Sequence, residues 1–300
     1  MKIYICICAS NRPIMLDKTL GSFKKLKIPR EFLLNIVLID NNIYSNNKKI
    51  YEKYKYDKNY NIYYKHELKK GIVYARNSFL KFIKSKCKKS DYIGFIDDDC
   101  EVDEYWLTSH LKNLKNKNIY ISTGPQIPIK ISNKKKSYYE LTNKNLTNNL
   151  SYTSWAATNN VILKYSVLKS LKLKFDNNLN KIGGSDQLFF LKLNKFGFNI
   201  LWNKKAIVRE NIKEKQLDIQ WFFKRNLRYG YSGAYISKII NGSIIGFLFS
   251  LSRIFYYSLN SLILIILIFK KENSFRLLSN LSKILGILKF YMRLKPKKYY

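Results

Sequence analysis

Acidic side chains are scarce in this sequence: Asp and Glu number 20 against 55 Lys and Arg, a formal charge of +35. Such a balance fits an anionic partner, whether a membrane surface, a nucleic acid or a sugar nucleotide. The chain is equally rich in Asn, Ile and Tyr, a bias that follows AT-rich coding, so charge alone selects none of these. Histidine is scarcer still, at two residues, which argues against a His/Cys zinc site. The four cysteines, Cys6, Cys8, Cys87 and Cys100, form no CxxC pair. Cys6 and Cys8 alternate within an apolar run, as buried thiols do, and a reducing cytoplasm is expected. A secretory leader is not expected either. The first apolar run, residues 3–9, is short and ends in Asn-Arg-Pro without a small-residue cleavage site. No internal repeat is present.

What is there is a regular alternation. Apolar runs rich in Ile, Val and Tyr occupy residues 3–9, 33–40, 61–64 and 92–99. Between them apolar residues recur at three- and four-residue steps: Leu16, Leu20, Phe23 and Leu26, then Phe79, Phe82 and Ile83. Strand alternating with helix predicts an α/β protein with a doubly wound, parallel sheet. Further strands are predicted at 119–126, 199–202 and 206–209, and helices at 165–171 and 183–196. Residues 131–150 are polar, rich in Lys and Asn and without period, and read as a mobile loop.

The chemistry gathers where those runs end. Asp97, Asp98 and Asp99 follow Tyr92-Ile93-Gly94-Phe95-Ile96, so three carboxylates emerge at the end of a buried strand. Open α/β sheets bind ligands in the crevice beyond such strand ends. Adjacent carboxylates repel, and a divalent cation with oxygen ligands relieves the repulsion and recruits phosphates. The competing reading is an acidic turn or helix cap. Asp186 follows two glycines at a predicted helix start, where it reads as a general base or as a cap. Arg76 suits either a diphosphate or a surface ion pair.

After about residue 215 the composition changes. Residues 243–269 hold one charge, Arg253, in 27 positions, long enough to cross a bilayer. Arg225, Arg228 and Lys238 precede this stretch, and residues 269–300 carry nine Lys or Arg against one acid, Glu272. Both flanks favour the cytoplasmic side, so an in-plane or re-entrant segment is expected rather than one crossing. Residues 275–294 continue as an interfacial amphipathic helix with Lys283, Lys289 and Arg293 among leucines. A helical bundle packed on the enzyme or on a dimer partner is the competing reading.

Four segments in order carry a resemblance. They are Cys-Ala-Ser-Asn-Arg-Pro at 8–13, Ile-Asp-Asn-Asn at 39–42, Gly-Ile-Val-Tyr-Ala-Arg-Asn at 71–77, and the acid triplet. With Gly183-Gly184-Ser185-Asp186 and Phe189-Phe190, they resemble family 2 glycosyltransferases of the GT-A fold over about residues 1–210. Trp202, and then Trp221, Arg225, Arg228 and Gly230, resemble the subgroup of succinoglycan-type glucosyltransferases. The resemblance implies a GT-A catalytic domain at 1–215, with mixed sheet and helices on both faces, and a membrane-associating helical segment at 216–300. It implies a donor site of Ser10, Asn11, Arg12, Asp40, Asn41, Arg76, Asp97 and Asp98, with Asp40 accepting from a uracil N–H. Asp99 and Asp97 become the ligands of Mn2+ or Mg2+, and Asp186 the base of an inverting single displacement. Arg225 and Arg228 face either the diphosphate or anionic lipid. The sequence departs from the family pattern at Ala9 and Ser10, where Thr and Tyr are usual, and at Ser185, where Glu is widespread.

The expected activity is hexose transfer from a nucleotide sugar, UDP-linked, to a lipid-linked saccharide. Its product belongs to a bacterial capsule, exopolysaccharide or lipopolysaccharide, made at the cytoplasmic face of the inner membrane. A nucleotidyltransferase shares the sheet and acids, but residues 9–13 offer no Gly-rich loop with Lys. A haloacid-type phosphatase needs an acid after the first strand, and there is none. A nucleic-acid-binding protein would match the charge, yet the basic residues form no recognisable module, so no nucleic acid is expected.

Overall fold

Lys2–Ala9 form strand β1, and its side chains from Ile3 to Ile7 are all buried. A strand apolar at every position must be covered on both faces. Its alternate residues feed two cores. Ile3, Ile5 and Ile7 pack with Leu16, Leu20, Phe23 and Trp106 on one side of the sheet. Tyr4 and Cys6 pack with Val73, Phe79, Phe95 and Phe189 on the other. The doubly wound expectation rests on that alternation.

The structure is a computed structural model and describes residues 1–129 and 151–294. The loop expected at 131–150 lies outside the described residues. After β1 come helix α1 (Pro13–Phe23), β2 (Leu33–Asp40), α2 (Lys48–Tyr54), β3 (Asn61–His66), α3 (Ile72–Ile83) and β4 (Tyr92–Asp97). There follow β5 (Cys100–Val102), α4 (Trp106–Leu114), β6 (Ile121–Thr123), β7 (Gln126–Ile129), β8 (Tyr152–Thr153), β9 (Val161–Lys164) and α5 (Tyr165–Leu171). The chain ends with α6 (Ser185–Lys195), β10 (Ile200–Trp202), β11 (Val208–Asn211), α7 (Ile219–Asn241), α8 (Ser243–Ile266) and α9 (Lys271–Tyr291).

The large sheet runs β3-β2-β1-β4-β9-β6-β10-β8, and β5-β11-β7 form a smaller one. The first four strands are parallel, whereas β9 is antiparallel to both β4 and β6. The sheet is therefore mixed, as the family resemblance implied.

Three expectations need correction. The strand predicted at 119–126 is two strands, β6 and β7, in different sheets. Pro125 lacks the N–H that a continuous ladder needs, and at Gly124 a Cβ would lie 2.2 Å from the Ala206 carbonyl oxygen. The run 92–99 leaves the strand after Asp97, so Asp98 and Asp99 form the turn into β5. The last predicted strand, 206–209, lies two residues later, as Val208–Asn211.

The described chain divides into two units: 1–129, 151–177 and 189–211 in the first, 178–188 and the chain from 212 in the second. In the second unit α7, α8 and α9 pack together. Gly230 and Gly286 let α7 and α9 meet main chain to main chain; a Cβ at either would lie 2.0 Å from a carbonyl oxygen of the other helix. The Tyr291 hydroxyl near the end of α9 donates to the Gly246 carbonyl at the start of α8, 3.3 Å away. Helix α9 therefore runs back along α8.

Candidate active site

Strand register decides which residues meet. Ala9 pairs with Asp40, Cys8 with Asp97, and Asp40 with His66. The carboxyl ends of β3, β2, β1 and β4 are thereby aligned. The chain winds from β1 through β2 to β3 in one direction and places β4 on the other side of β1, which makes a ligand crevice at that point.

The acid triplet sits there with a guanidinium against it. The Asp98 side chain is fully enclosed, at 0% exposure. Arg12 donates through Nε to Asp98 Oδ2 at 3.2 Å, through Nη2 to Asp98 Oδ1, and through Nη1 to Asp99 Oδ2. Burial pushes the Asp98 carboxyl up to about 7, against the pull of Arg12. Burial alone would lower the Arg12 guanidinium, but Asp98, Asp99 and Asp97 together raise it. Asp97 faces Arg76 across 3.9 Å, and the Arg76 guanidinium carbon lies 5.5 Å over the Phe175 ring. Arg76 therefore has an acidic neighbour inside the site.

Asp40 is turned inward. Its Oδ1 accepts from the Asn42 N–H (3.2 Å) and Asn47 Nδ2 (2.8 Å); its Oδ2 accepts from the Asn47 N–H (3.2 Å) and Tyr64 hydroxyl (2.8 Å). All four acceptor directions are used within the chain, so the expected uracil contact is not open in this arrangement. Asp40 instead organises the wall of the crevice. Asn47 Nδ2 also donates to the Ser10 carbonyl at 2.6 Å, and the Ser10 hydroxyl to the Asn41 carbonyl at 3.5 Å. Asn41 ties the next loop, donating to the Glu67 and Lys69 carbonyls and accepting from the Gly71 N–H at 2.7 Å. Asn11 accepts from Asn46 at 3.5 Å. Asn47, which the sequence reading missed, joins two of these loops; its signal was its position just before helix α2.

The donor set fits a hard divalent ion that brings its own partners. Among the described residues no group of three or more His, Cys, Asp or Glu side chains is placed to hold a metal ion. Asp97 and Asp99 would supply oxygen from one or two carboxylates, which suits an ion completed by substrate phosphates and water.

Asp186 belongs to the second unit. It is half-buried in the first turn of α6, and its Oδ1 accepts from the Gln187 N–H at 2.9 Å. Gly183 and Gly184 before it take φ of +78° and +80°, the left-handed region that favours glycine. In the same unit Arg225 donates through Nε to the Tyr229 hydroxyl at 2.5 Å and lies 4.8 Å over the Trp221 ring. The first unit thus brings together Ser10, Asn11, Arg12, Asp40, Asn41, Arg76, Asp97, Asp98 and Asp99, and the second holds Asp186, Arg225 and Arg228.

A mixed, doubly wound sheet with acids at the switch point is the arrangement of the GT-A fold, in which glycosyltransferases are built. The glycosyl transferase family 2 model matches residues 4–168, and the chain belongs to that family. It is 26% identical over 241 residues to succinoglycan biosynthesis protein ExoM of Rhizobium meliloti (strain 1021), covering 77% of this chain and 73% of that one. The mannosyltransferase PcManGT from Pyrobaculum calidifontis, solved with GDP-Man and Mn2+, shares the fold at a TM-score of 0.66 and 11% identity, over 98% of this chain and 88% of that one. S. aureus TarS 1-349 with UDP-GlcNAc aligns at a TM-score of 0.57 and 14% identity, over 79% and 67% of the two chains.

Proposed function

We propose that this glycosyltransferase moves a hexose from a nucleotide sugar, UDP-linked, onto a lipid-linked saccharide in the synthesis of a bacterial surface polysaccharide. The observation that carries the reading is the alignment of Arg12, Arg76, Asp97, Asp98 and Asp99 at the carboxyl ends of β1 and β4. The likeness to ExoM supports a polysaccharide product, and that of TarS with UDP-GlcNAc supports a UDP donor.

Asp97 and Asp99 would hold Mn2+ or Mg2+, which supplies Lewis-acid stabilisation of the departing diphosphate. Arg76 and Arg12 orient these carboxylates, because each guanidinium is paired with one of them. Asp186 takes the proton of the acceptor hydroxyl as it attacks, which gives inversion at the anomeric carbon.

The site works at the cytoplasmic face of the inner membrane. Helix α8 is long and apolar enough to cross a bilayer, yet two of its polar side chains, Ser250 and Arg253, turn toward α9 and α7. Ser250 accepts from the Tyr291 hydroxyl at 3.0 Å, and Arg253 donates to Ser237 at 2.6 Å. Most of the large apolar side chains of α8 are exposed, Phe255, Leu259 and Leu262 among them. Because α9 runs back along α8, Lys238, Lys289 and Arg293 gather at the end where the hairpin begins and finishes, which supports docking without a single crossing.

A screen of UDP-, GDP- and dTDP-sugars for hydrolysis with Mn2+ tests the reading. Release of one nucleoside diphosphate, dependent on the metal, is expected. Binding of DNA without binding of any nucleoside diphosphate would replace it with a nucleic-acid function.

A further inference from the structure

We infer that Arg228 is a positioning residue for Asp186, a role that rests on Asp186 acting as the base. The turn that launches α6 is two consecutive glycines in the left-handed region, and both lie against one stripe of α7. A Cβ at Gly183 would meet Arg228 Cδ and Nε at 3.1 Å, and one at Gly184 would meet Ile236 Cδ1 at 3.1 Å and Ser232 Cβ at 3.3 Å. Residues 228, 232 and 236 follow at four-residue steps, so they form one ridge of that helix.

The consequence is mechanical. Two adjacent left-handed glycines have little intrinsic preference for one geometry, since glycine loses more conformational freedom on ordering than any other residue. Something must hold the turn if a carboxylate two residues on is to point one way. Arg228 lies flat over the first glycine, and Ser232 and Ile236 support the second. The side chain of Arg228 is half-buried, so its packing acts through the aliphatic stem as well as the charge. Arg225, one turn away, lies 4.8 Å over the Trp221 ring and 5.5 Å over Tyr229, a ring that Arg228 also approaches at 5.9 Å. Of the two arginines, Arg228 is the one that a Cβ at Gly183 would meet.

The test uses the full chain, UDP with Mn2+ as the binding probe, and the UDP-hexose that the wild type hydrolyses fastest. Arg228→Ala should raise amide hydrogen exchange across 183–188 about tenfold and lower kcat at least tenfold, while the Kd for UDP moves less than twofold. In an Asp186→Asn background the same change should cost nothing further in kcat. Arg228→Lys, which keeps the stem, should recover part of the exchange protection and part of kcat. A tenfold loss of UDP affinity with unchanged exchange would overturn the role and make Arg228 a diphosphate ligand. Losses that multiply with those of Asp186→Asn would overturn it as well. If the wild type hydrolyses no nucleotide sugar, the functional proposal fails, while the exchange measurement still decides whether Arg228 holds the turn. Should Arg228→Ala not fold, exchange and kcat in Arg228→Lys and Gly183→Ala decide, and wild-type values in both would end the proposal.

Discussion

Arg12 and Asp98 form a two-pronged ion pair in which the acid is fully enclosed and the base is about one-third exposed. Deleting the arginine leaves a buried carboxylate without its counter-charge, which is far costlier than losing a surface pair. Arg12→Ala should therefore lower unfolding free energy by about 3 kcal/mol, the low end for buried pairs because water reaches Arg12. Urea denaturation without metal reads this directly. A change below about 0.5 kcal/mol, the size usual for surface substitutions, would show that the pair is not holding the turn.

Asp99 is the acid proposed to hold the ion, together with Asp97. Asp99→Asn keeps the shape of the side chain and removes one charge from a buried turn, where Arg12 remains paired with Asp98. Donor hydrolysis should fall to background, with thermal unfolding shifted by only a few degrees. A chelator should do the same to the wild type. Activity surviving both treatments would rule out the metal assignment.

Asp186→Asn separates chemistry from binding. Removing a general base costs roughly 10²–10⁴ in rate, so transfer should drop by that factor while UDP affinity stays within a few-fold. Joint loss of affinity and rate would instead place Asp186 among the donor-binding residues.

The sheet and the place of its acids were legible in the sequence because β1, β2 and β4 are dominated by apolar residues, and β2 and β4 end in Asp40 and Asp97. What each polar residue faces was not. Asp40 reads as a ligand from its strand-end position, yet Asn47 and Tyr64, 7 and 24 residues away, fill its acceptor positions. Arg12 reads as a donor contact, and its partners lie 86 and 87 residues on. Helix α4 escaped the periodic pattern because its inward face carries His110 and Asn113 alongside Leu107, Leu111 and Leu114. Those polar groups are buried by hydrogen bonds rather than by apolarity, which no hydropathy pattern reveals.

That same network yields a pH dependence. His110 Nδ1 accepts from the Ser122 hydroxyl at 2.8 Å and Nε2–H donates to Asn160 Oδ1 at 3.0 Å, an assignment that keeps the ring neutral. Burial lowers its pKa from 6.5 to about 4, with the Asn160 bond opposing. Above pH 6.5 neither folded nor unfolded chain holds the proton, and stability is unaffected. Between 6.5 and about 4 only the unfolded chain takes it up, so stability falls as pH falls, by about 3 kcal/mol in all. Asp98, raised to about 7, acts in the opposite sense but alike in both proteins, so urea midpoints should show the wild type losing about 3 kcal/mol relative to His110→Gln as pH falls through that window. Equal slopes would mean that another group sets the acid sensitivity.

The outward face of α8 provides the last prediction. Phe255, Leu259 and Leu262 are 71%, 51% and 61% exposed, so a solvated chain gains nothing from them. Buried in lipid, each contributes about 1.5–3 kcal/mol. Replacing all three with Ser should leave unfolding free energy nearly unchanged, because little packing is lost. Flotation with phosphatidylglycerol vesicles should nonetheless weaken at least tenfold. Each Lys or Arg near the anionic surface adds about 1 kcal/mol, attenuated by salt, so high salt should release the wild type only in part. Release in full by salt alone would show that the apolar face does not insert. Tyr291 of α9 meets Gly246 of α8, so the described chain leaves the hairpin at the end where it entered. A reporter fused after Tyr300 should accordingly be labelled only from the cytoplasmic side. Reproducible labelling from the periplasm would establish a crossing and replace docking with a span.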